Sequence, residues 1–232
     1  SSVFDRVDIL PLGEVFEQES LPTGLVQHRP IGNRLTYSAR AMRFASRRRY
    51  DICFCAHPFL APLAWMAARL RHSRLLVQAH GIDAWNGFSG PRIRALEKAD
   101  HFLAVSRHTR DALLEHLALD PGAVSVLPNT FDAQFFTPDA AAGRNVRSEL
   151  QLVGRKLILT VGRMSASEAY KGHDRVIEVM PALLAKHPDL VYVVLGDGDD
   201  RNRLEVLARR HGVDASVRFV GELDRATMRD VY

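Results

Sequence analysis

The sequence contains little cysteine. Cys53 and Cys55 are the only two cysteines among 232 residues, and they lie two positions apart in an apolar run. On a β-strand they would share one face, and neighbours along a single strand are poorly placed for a disulfide. We therefore predict two reduced core residues, which is typical of a cytoplasmic protein.

The sequence also lacks a long hydrophobic run. No apolar stretch approaches the roughly 20 residues that a membrane-spanning helix needs. The mean hydropathy of -0.11 and the 25% of charged residues are ordinary for a globular protein. These values predict a chain that folds around its own core and does not cross a membrane.

Motifs of several well-known enzyme classes are absent. The sequence has no Walker A lysine loop, no His-Glu-x-x-His zinc motif and no Gly-x-Ser-x-Gly nucleophile turn. Its ten histidines are scattered without the spacing of metal ligands. These absences argue against P-loop, zinc-protease and α/β-hydrolase chemistry, and we predict no metal site.

Acidic residues are missing from residues 29–50, which hold seven arginines. We predict a helix from about Arg34 with Leu35, Ala39 and Met42 on its apolar face. The basic face and its aromatic neighbours comprise Arg40, Arg43, Arg47, Tyr37 and Phe44. Such a face suits an anionic membrane surface, but solvated arginines on a packed helix would give the same pattern. We predict no nucleic-acid partner, because the net charge is only +4 and an aromatic stacking platform is missing.

Short apolar runs alternate with helical patterns along the chain. After a short strand at the start, predicted strands lie at residues 51–56, 75–79, 101–105, 124–127, 157–161, 190–195 and 216–220. The helices between them, such as residues 173–186 with a kink or an end at Pro181, indicate β-α-β units and parallel sheets. Residues 131–143 break the rhythm. We predict an N-terminal domain at residues 1–130, a linker at 131–143 and a second domain at 144–232.

The strongest candidate for a ligand site follows the strand at residues 157–161. Gly162 ends the apolar run, Arg163 comes next, and Lys171 precedes a helical pattern that begins near His173. A parallel strand, a glycine turn and a helix start favour anion binding, because the first helical amides are unpaired. Arg163 offers a planar fork of donors and Lys171 a point charge, which together suit a diphosphate. The alternative is a β-α turn with solvated basic residues.

A second candidate follows the strand at residues 75–79. Ligands of open parallel sheets bind beyond the carboxyl ends of the strands. His80 could there donate a hydrogen bond to a sugar hydroxyl or to a developing charge, and Gly81 would allow close backbone approach. Asp83 completes the His-Gly-x-Asp pattern. The alternative is a histidine that merely ends the strand.

A third candidate, Gly196-Asp197-Gly198, follows the strand at residues 190–195. It is weak evidence for a dinucleotide fingerprint, because no third glycine follows at the required spacing. Asp197 and Asp199 could hold a divalent metal, but no third ligand is evident nearby. We interpret the segment as a turn that lets the backbone approach a nucleotide.

Taken together, these residues resemble a known family. Motifs similar to the second domain of family 4 retaining glycosyltransferases are Gly162-Arg163, Tyr170-Lys171-Gly172-His173-Asp174, Leu195-Gly196-Asp197-Gly198, Arg203-Leu204 and Val217-Arg218-Phe219-Val220-Gly221. Motifs similar to the first domain are His80-Gly81-x-Asp83, Ala104-Val105-Ser106 and Leu127-Pro128-Asn129-Thr130-Phe131-Asp132. They occur in the family's order from about residue 51 onwards. Each is weak alone, but the set is specific.

The resemblance implies a GT-B fold, in which two Rossmann-like, doubly wound parallel-sheet domains hold a nucleotide sugar between them. It implies that Arg163 and Lys171, beside Gly162, neutralise the donor diphosphate, and that His80 is a catalytic residue near the transferred sugar. The other implied site residues are Gly196, Asp197 and Gly198 on the nucleotide loop and Gly81, Asp83, Ser106 and Asn129 on the acceptor and sugar side. It implies no metal and no cofactor, since the nucleoside-diphosphate sugar is the donor substrate.

The sequence departs from the family pattern in three places. The glycine-rich loop after the family's first strand is missing at the amino end. The E-x7-E motif that holds the donor sugar and ribose would lie beyond Tyr232. Asn129 is followed by Thr130 where the family usually has glycine. We therefore expect both domains to be incomplete and this chain alone to be weak or inactive as a catalyst.

Two functional hypotheses follow. In the first, the protein is a retaining glycosyltransferase that moves a sugar from a nucleoside-diphosphate donor to a polysaccharide or lipid-linked acceptor. It would be cytoplasmic and peripheral on the inner face of an anionic membrane. In the second, it is a nucleotide- or phosphate-binding module without transfer chemistry, which the missing glutamates support. The family motifs favour the first hypothesis.

Overall fold

The computed structural model describes residues 4–13, 21–137 and 139–231. The chain divides into two compact units, Ser1–Thr130 (unit 1) and Phe131–Tyr232 (unit 2). Each unit contains its own parallel sheet. The predicted class, α/β with parallel sheets, is confirmed.

Unit 1 holds a four-stranded sheet and a separate strand pair. Its strands are β1 (Val7–Ile9), β2 (Leu25–Gln27), β3 (Ile52–Cys55), β4 (Arg74–Ala79), β5 (His101–Ala104) and β6 (Val124–Val126). Its α-helices are α1 (Arg34–Arg47), α2 (Ala61–Leu70), α3 (Ile82–Trp85), α4 (Pro91–Leu96) and α5 (Arg107–His116). Strands β3 to β6 pair in chain order and in parallel, and β1 pairs in parallel with β2. Strand β2 was not predicted, because only two apolar residues, Leu25 and Val26, stand between Gly24 and the polar residues that follow.

The core of unit 1 lies on one face of the four-stranded sheet. Leu75, Val77 and Ala79 of β4 are buried at alternate positions, as the two-residue period of a strand requires. They pack with residues of β5 and of helices α2, α4 and α5. Phe54 points to the opposite face and is 50% exposed. In the described part of unit 1, this core therefore covers a single face of the sheet.

The two cysteines behave as predicted. Cys55 is buried in the core of unit 1, and Cys53 packs against the same core while partly buried. Both are free thiols. Burial raises the pKa of Cys55 to about 11, so the thiol is protonated and unreactive at neutral pH.

Helix α1 packs with a different side from the one predicted. Leu35, placed on the apolar face by its spacing, is 83% exposed. Tyr37 instead turns inward and donates a hydrogen bond to the Leu10 carbonyl (3.1 Å). Phe44 makes an edge contact with His28, with ring centroids 4.5 Å apart. The predicted apolar face is wrong because the aromatic rings, which bury more area than the aliphatic residues, take the packed side.

Unit 2 is a three-stranded sheet with helices around it. Its strands are β7 (Lys156–Val161), β8 (Leu190–Leu195) and β9 (Val217–Gly221). Its α-helices are α6 (Ala140–Glu149), α7 (His173–Lys186), α8 (Arg201–Arg210) and α9 (Arg225–Val231). The strands pair in the order β7-β8-β9, all parallel. The predicted strands at 157–161, 190–195 and 216–220 are confirmed within one residue at each end.

Strand β8 is the centre of unit 2. All six of its residues are buried. Tyr192 and Val194 pack with residues of α7 and α8, whereas Val191 and Val193 pack on the other face with residues that include Leu150 and Val231. A strand buried on both faces is a continuous apolar run rather than an alternating one. Unit 2 therefore has the doubly wound arrangement that was predicted.

The segment at residues 131–143, predicted to be a linker, carries structure of its own. Helix α6 begins at Ala140, inside this range. Asp139 starts the helix, since its side chain accepts a hydrogen bond from Ala141 N–H (2.8 Å) and its carbonyl accepts one from Gly143 N–H (2.9 Å). The guanidinium of Arg225 lies over the ring of Phe135, with its Cζ 4.4 Å from the ring centroid. The run of alanines is a strong helix former that the linker interpretation overlooked.

Helix α7 does not end at Pro181. It continues without interruption to Lys186. A proline inside a helix removes one hydrogen bond and crowds the preceding turn. Ile177 and Met180, both fully buried, tie the same helix to the core of unit 2. Packing therefore outweighs the local cost of the proline.

None of the helices in the described ranges combines the length and the apolar character that crossing a membrane requires.

Candidate functional site

The carboxyl edge of the unit 2 sheet brings two glycine turns into close contact. Gly162 follows β7 and donates its N–H to the Leu195 carbonyl (2.9 Å). Gly196 follows β8 with φ +124°, and a Cβ there would collide with the Gly162 carbonyl. Gly198, at φ +157°, would collide with the Met164 carbonyl in the same way. Glycine is needed at both positions so that the two loops can touch.

Hydrogen bonds join these two loops. Met164 donates its N–H to the Asp197 carbonyl, and its own carbonyl accepts from Asp200 N–H (both 2.9 Å). The Asp199 carboxylate accepts from Ala166 N–H (3.0 Å). The Asp197 carboxylate accepts from Gly198 N–H and from Arg201. Both aspartates of the Asp-x-Asp segment thus hold the loop, as the turn interpretation requires, and the described residues contain no cluster of three or more metal ligands.

Arg163 and Lys171 meet at one carboxylate. Glu168 lies in a 3-10 helix, Ala166–Lys171, between the two cations. Its Oε1 accepts from Arg163 Nη2 (2.6 Å) and its Oε2 accepts from Lys171 Nζ (2.8 Å). The hydrogen bond from Lys171, together with that from Arg163, holds the pKa of Glu168 below its ordinary value. Lys171 Nζ also lies 3.6 Å from where a Cβ on Gly162 would be. The three residues predicted for the diphosphate are therefore neighbours, while their role stays a prediction.

Helix α7 begins directly after this cluster. Gly172 adopts a left-handed conformation (φ +75°, ψ +24°) and supplies no side chain to cap the helix. The first-turn amides and the positive end of the helix dipole are thus oriented for an anion. Asp174 takes up one of these amides through a hydrogen bond from Arg175 N–H (2.9 Å).

His173, the first residue of α7, is tied to the sheet below. It is 5% exposed, and its Nδ1 lies 3.3 Å from the hydroxyl of Tyr192 on β8. Tyr192 donates to the Thr160 hydroxyl on β7 (3.1 Å), and burial raises its pKa. This chain of hydrogen bonds ties the start of the helix to both strands. His173 Nε2 has no hydrogen-bond partner in the described structure.

In unit 1, His80 lies exposed at the end of β4. Its Nε2 lies 2.8 Å from the Ala56 carbonyl. A carbonyl only accepts hydrogen bonds, so Nε2 carries the proton, and in the neutral ring Nδ1 is an acceptor. The backbone N–H of His80 donates to both carboxylate oxygens of Asp83 (3.0 and 3.1 Å). The histidine therefore joins the ends of β3 and β4, and within the described ranges its second ring nitrogen makes no hydrogen bond.

The other unit 1 candidates lie at the same edge of the sheet. Gly81 is buried with φ +129°, and a Cβ there would lie 3.0 Å from the Trp85 ring. Ser106 follows β5 and begins α5, since its hydroxyl accepts from Thr109 N–H (3.1 Å). Asn129 follows β6 and is exposed. Because the strands are parallel, all three residues lie at the carboxyl edge. Ser106 was predicted as a site residue, and the structure shows it as the cap of α5, while its role at the site stays a prediction.

The predicted membrane surface on α1 is only partly exposed. Arg43 and Arg47 are exposed, whereas Arg40 is partly buried beside the Arg29 carbonyl, 3.4 Å from its Nη1. Tyr37 and Phe44 lie on the packed side of the helix, as described above. The arginines and the aromatics of this prediction therefore do not form one solvent-facing surface.

Parallel α/β units with glycine turns at the carboxyl edges of their sheets are the architecture of the GT-B fold. Residues 11–135, more than half of the chain, match the family model described as Glycosyltransferase Family 4. Residues 144–232 match the model described as Glycosyl transferases group 1. The chain belongs to glycosyltransferase family 4, as the motifs indicated.

Curated relatives support this membership. The GDP-mannose-dependent alpha-(1-6)-phosphatidylinositol monomannoside mannosyltransferase of Mycobacterium tuberculosis is 30% identical over 169 residues, which are 69% of this chain and 43% of that protein. The Phosphatidylinositol N-acetylglucosaminyltransferase gpi3 subunit of Schizosaccharomyces pombe is 29% identical over 136 residues, 59% of this chain and 27% of that protein. The chain thus spans less than half the length of these relatives.

Solved structures share the fold. The crystal structure of Anabaena Alr3699/HepE in complex with UDP is similar with a TM-score of 0.70 at 19% identity, covering 90% of this chain and 57% of that one. The structure of a glycosyltransferase from Rickettsia africae ESF-5 has a TM-score of 0.69 at 14% identity, covering 89% of this chain and 56% of that one. Identities this low establish the fold and no more.

Sequence reasoning missed Glu168 and His173 as parts of the site. Glu168 lies three residues before Lys171, at a spacing that brings side chains together on a helical turn. That spacing could have predicted an ion pair between Glu168 and Lys171 from the sequence. His173 gave no such signal, because its partners Tyr192 and Thr160 lie on two separate strands.

Proposed function

We propose that this protein is a retaining glycosyltransferase whose unit 2 binds the diphosphate of a nucleotide-sugar donor. One observation carries the proposal: Arg163 and Lys171 converge beside Gly162 on a single anionic group at the carboxyl edge of the sheet. Two cations placed in advance stabilise the charge that develops on a leaving diphosphate. The Gly196–Asp197–Gly198 turn lies against the same loop and would admit the nucleotide.

The unit 1 edge is proposed to serve the sugar and the acceptor. His80 would contact the transferred sugar through Nδ1, the ring nitrogen that the Ala56 carbonyl leaves available. Gly81, Asp83 and Asn129 would line the approach to it. No metal and no cofactor enter this proposal, because the two cations supply the charge that a metal would otherwise bring.

A lipid-linked acceptor is proposed ahead of a polysaccharide. The two relatives above are both named for phosphatidylinositol-based acceptors. The exposed arginines of α1 would hold the protein on an anionic, cytoplasmic membrane face where such an acceptor lies. Transfer from a sugar nucleotide to phosphatidylinositol in vesicles tests this part, and the anomeric configuration of the product, measured by NMR, tests retention.

Calorimetric titration of the chain with UDP, GDP and ADP, in the presence of a chelator, tests the donor site. We expect one nucleotide to bind, and Arg163→Ala and Lys171→Ala each to weaken binding by about 10-fold or more, since each removes a charge-assisted hydrogen bond of about 1.5–3 kcal/mol. Lys156→Ala is the matched control, because Lys156 lies at the opposite end of β7 and pairs with Asp189 (3.6 Å).

The titration also separates the two functional hypotheses. Nucleotide binding that neither Arg163→Ala nor Lys171→Ala weakens would remove these residues from the donor site. Binding that both substitutions weaken, in a protein that transfers no sugar to any acceptor offered, would leave the nucleotide-binding module instead.

A further inference from the structure

Glu168 bridges the two cations of the donor site in a way that imitates a bound anion. Each carboxylate oxygen accepts from a different cation, Oε1 from Arg163 and Oε2 from Lys171. Two oxygens of one phosphoryl group could make the same pair of contacts. The side chains of Glu168 and Lys171 are 19% and 29% exposed, so their ion pair lies partly out of solvent, whereas the Arg163 side chain is 72% exposed.

The local backbone places Glu168 in this position. Within the 3-10 helix Ala166–Lys171, Glu168 departs from helical geometry (φ -115°, ψ 28°). Its N–H is held by the Ser165 carbonyl (2.8 Å), and the same segment is tied to the nucleotide loop through the bond between Ala166 N–H and Asp199. The segment that carries the carboxylate is therefore anchored at its start to the loop that would receive a nucleotide.

We propose that Glu168 is an internal counter-anion of the donor site. In the nucleotide-free protein it occupies the place of the diphosphate between Arg163 and Lys171, and an incoming diphosphate displaces it from at least one of them. This inference rests on the proposed function, since it requires the two cations to bind a diphosphate. In this role Glu168 would lower the affinity of the site for a nucleotide.

The physical reason is a competition between anions. Arg163 and Lys171 together carry two positive charges, and Glu168 leaves them with a net charge of one. If Glu168 stayed in place when a diphosphate bound, the two anions would share Arg163 and Lys171. The carboxylate would then repel the diphosphate at close range. Displacement removes the repulsion but breaks two partly exposed ion pairs. Either way, the glutamate weakens binding and favours release of the nucleoside-diphosphate product.

Titration of Glu168→Gln with the nucleotide that the wild-type chain binds, and with inorganic pyrophosphate, tests the proposal. We expect both ligands to bind about 2- to 10-fold more tightly than to the wild type, because two partly exposed ion pairs no longer compete. The gain should shrink as salt is added, since screening weakens interactions between exposed charges. Asp189→Asn is the matched control: it removes one carboxylate that pairs with Lys156 at the other end of β7, and it should leave both affinities unchanged.

The outcomes separate this proposal from the one on which it rests. A gain of affinity cannot come from a damaged fold, so tighter binding by Glu168→Gln alone supports the counter-anion. Equal or weaker binding by Glu168→Gln, when Arg163→Ala still weakens binding, would overturn the counter-anion and leave the donor site intact. Failure of every chain to bind nucleotide or pyrophosphate would overturn both.

Discussion

The carboxylate of Asp8 in unit 1 accepts four hydrogen bonds. Its side chain is 3% exposed. It accepts from Arg6 Nε (2.8 Å) and Nη2 (2.9 Å), from His28 Nε2 (2.8 Å) and from the Tyr50 hydroxyl (3.0 Å). The hydrogen bond from Arg6 is the largest cause of a strongly lowered pKa for Asp8. One buried carboxylate thus ties β1 to the chain after β2 and to the segment just before β3.

Asp8→Asn should destabilise unit 1 by about 3 kcal/mol, because the amide cannot accept from all these donors and leaves buried polar groups unpaired. The lowered pKa fixes the sign of the pH dependence. The stabilisation is present above the unfolded-state pKa of about 3.9 and is lost as the pH falls towards the folded-state value. Urea unfolding followed by tryptophan fluorescence measures it, since both tryptophans, Trp65 and Trp85, belong to unit 1.

Asp5→Asn is the control for this prediction, since Asp5 is exposed and lies only three positions away. It should change the unfolding free energy by no more than about 0.5 kcal/mol. A difference between wild type and Asp8→Asn that stayed constant from neutral pH to below pH 3 would mean that the charge of Asp8 contributes nothing.

At the scale of elements, the two glycine turns of unit 2 should be intolerant of any side chain. Gly196→Ala adds a Cβ against the Gly162 carbonyl at a φ of +124°, so we expect a loss of about 3 kcal/mol from strain and crowding. Gly212, after α8, also has a positive φ (+66°) but nothing within 4 Å of its Cβ position. Gly212→Ala should therefore cost only about 1 kcal/mol. Urea unfolding followed by circular dichroism compares them.

Equal losses in the two variants would contradict the close approach of the loops. The contrast matters for function as well, because Gly196 and Gly162 belong to the proposed donor site. Displacement of either loop should weaken nucleotide binding in Gly196→Ala and leave it unchanged in Gly212→Ala.

The elements that sequence could predict are those with a clear period and a clear stop. Strand β8 is an unbroken apolar run closed by Gly196, and both its limits were predicted. Helix α6 was missed because its alanines carry no apolar period and stand where a linker was expected. The prediction for the packed side of α1 was wrong, because the spacing of apolar residues does not show whether Leu35 or Phe44 is buried. That choice depends on the chain around β2, where no strand was predicted.

The donor site shows the same division. Arg163 and Lys171 were predicted from residue type and from their position after a strand, which local sequence contains. Their convergence on Glu168 depends on the non-helical φ and ψ of that residue, which local sequence does not contain. The hydrogen bonds from His173 to Tyr192 and on to Thr160 join a helix to two strands, so they exist only after the sheet has formed.

At the scale of the whole molecule, the excess of positive charge is unevenly spread. The net charge is +4, yet residues 29–50 hold seven arginines and no acidic residue. The structure turns Tyr37 and Phe44 of this segment inward. These aromatic rings are occupied within unit 1 and do not face lipid headgroups. We therefore expect the attraction of α1 to a membrane to be mainly electrostatic, with a smaller apolar contribution from the exposed Leu35.

An electrostatic contact makes a specific prediction for lipid binding. Replacing the exposed Arg43 and Arg47 together by Gln should lower the partition coefficient onto vesicles rich in anionic lipid by about 10- to 30-fold, at about 1 kcal/mol for each arginine near the surface. Sedimentation with vesicles measures it.

Replacing the exposed Arg209 and Arg210 of α8 by Gln changes the net charge by the same amount and should have little effect. Equal losses in the two double variants would mean that overall charge, not α1, attracts the protein. Binding that resists added salt would contradict an electrostatic contact, because at 0.1 M salt screening largely removes the attraction between exposed charges more than about 10 Å apart.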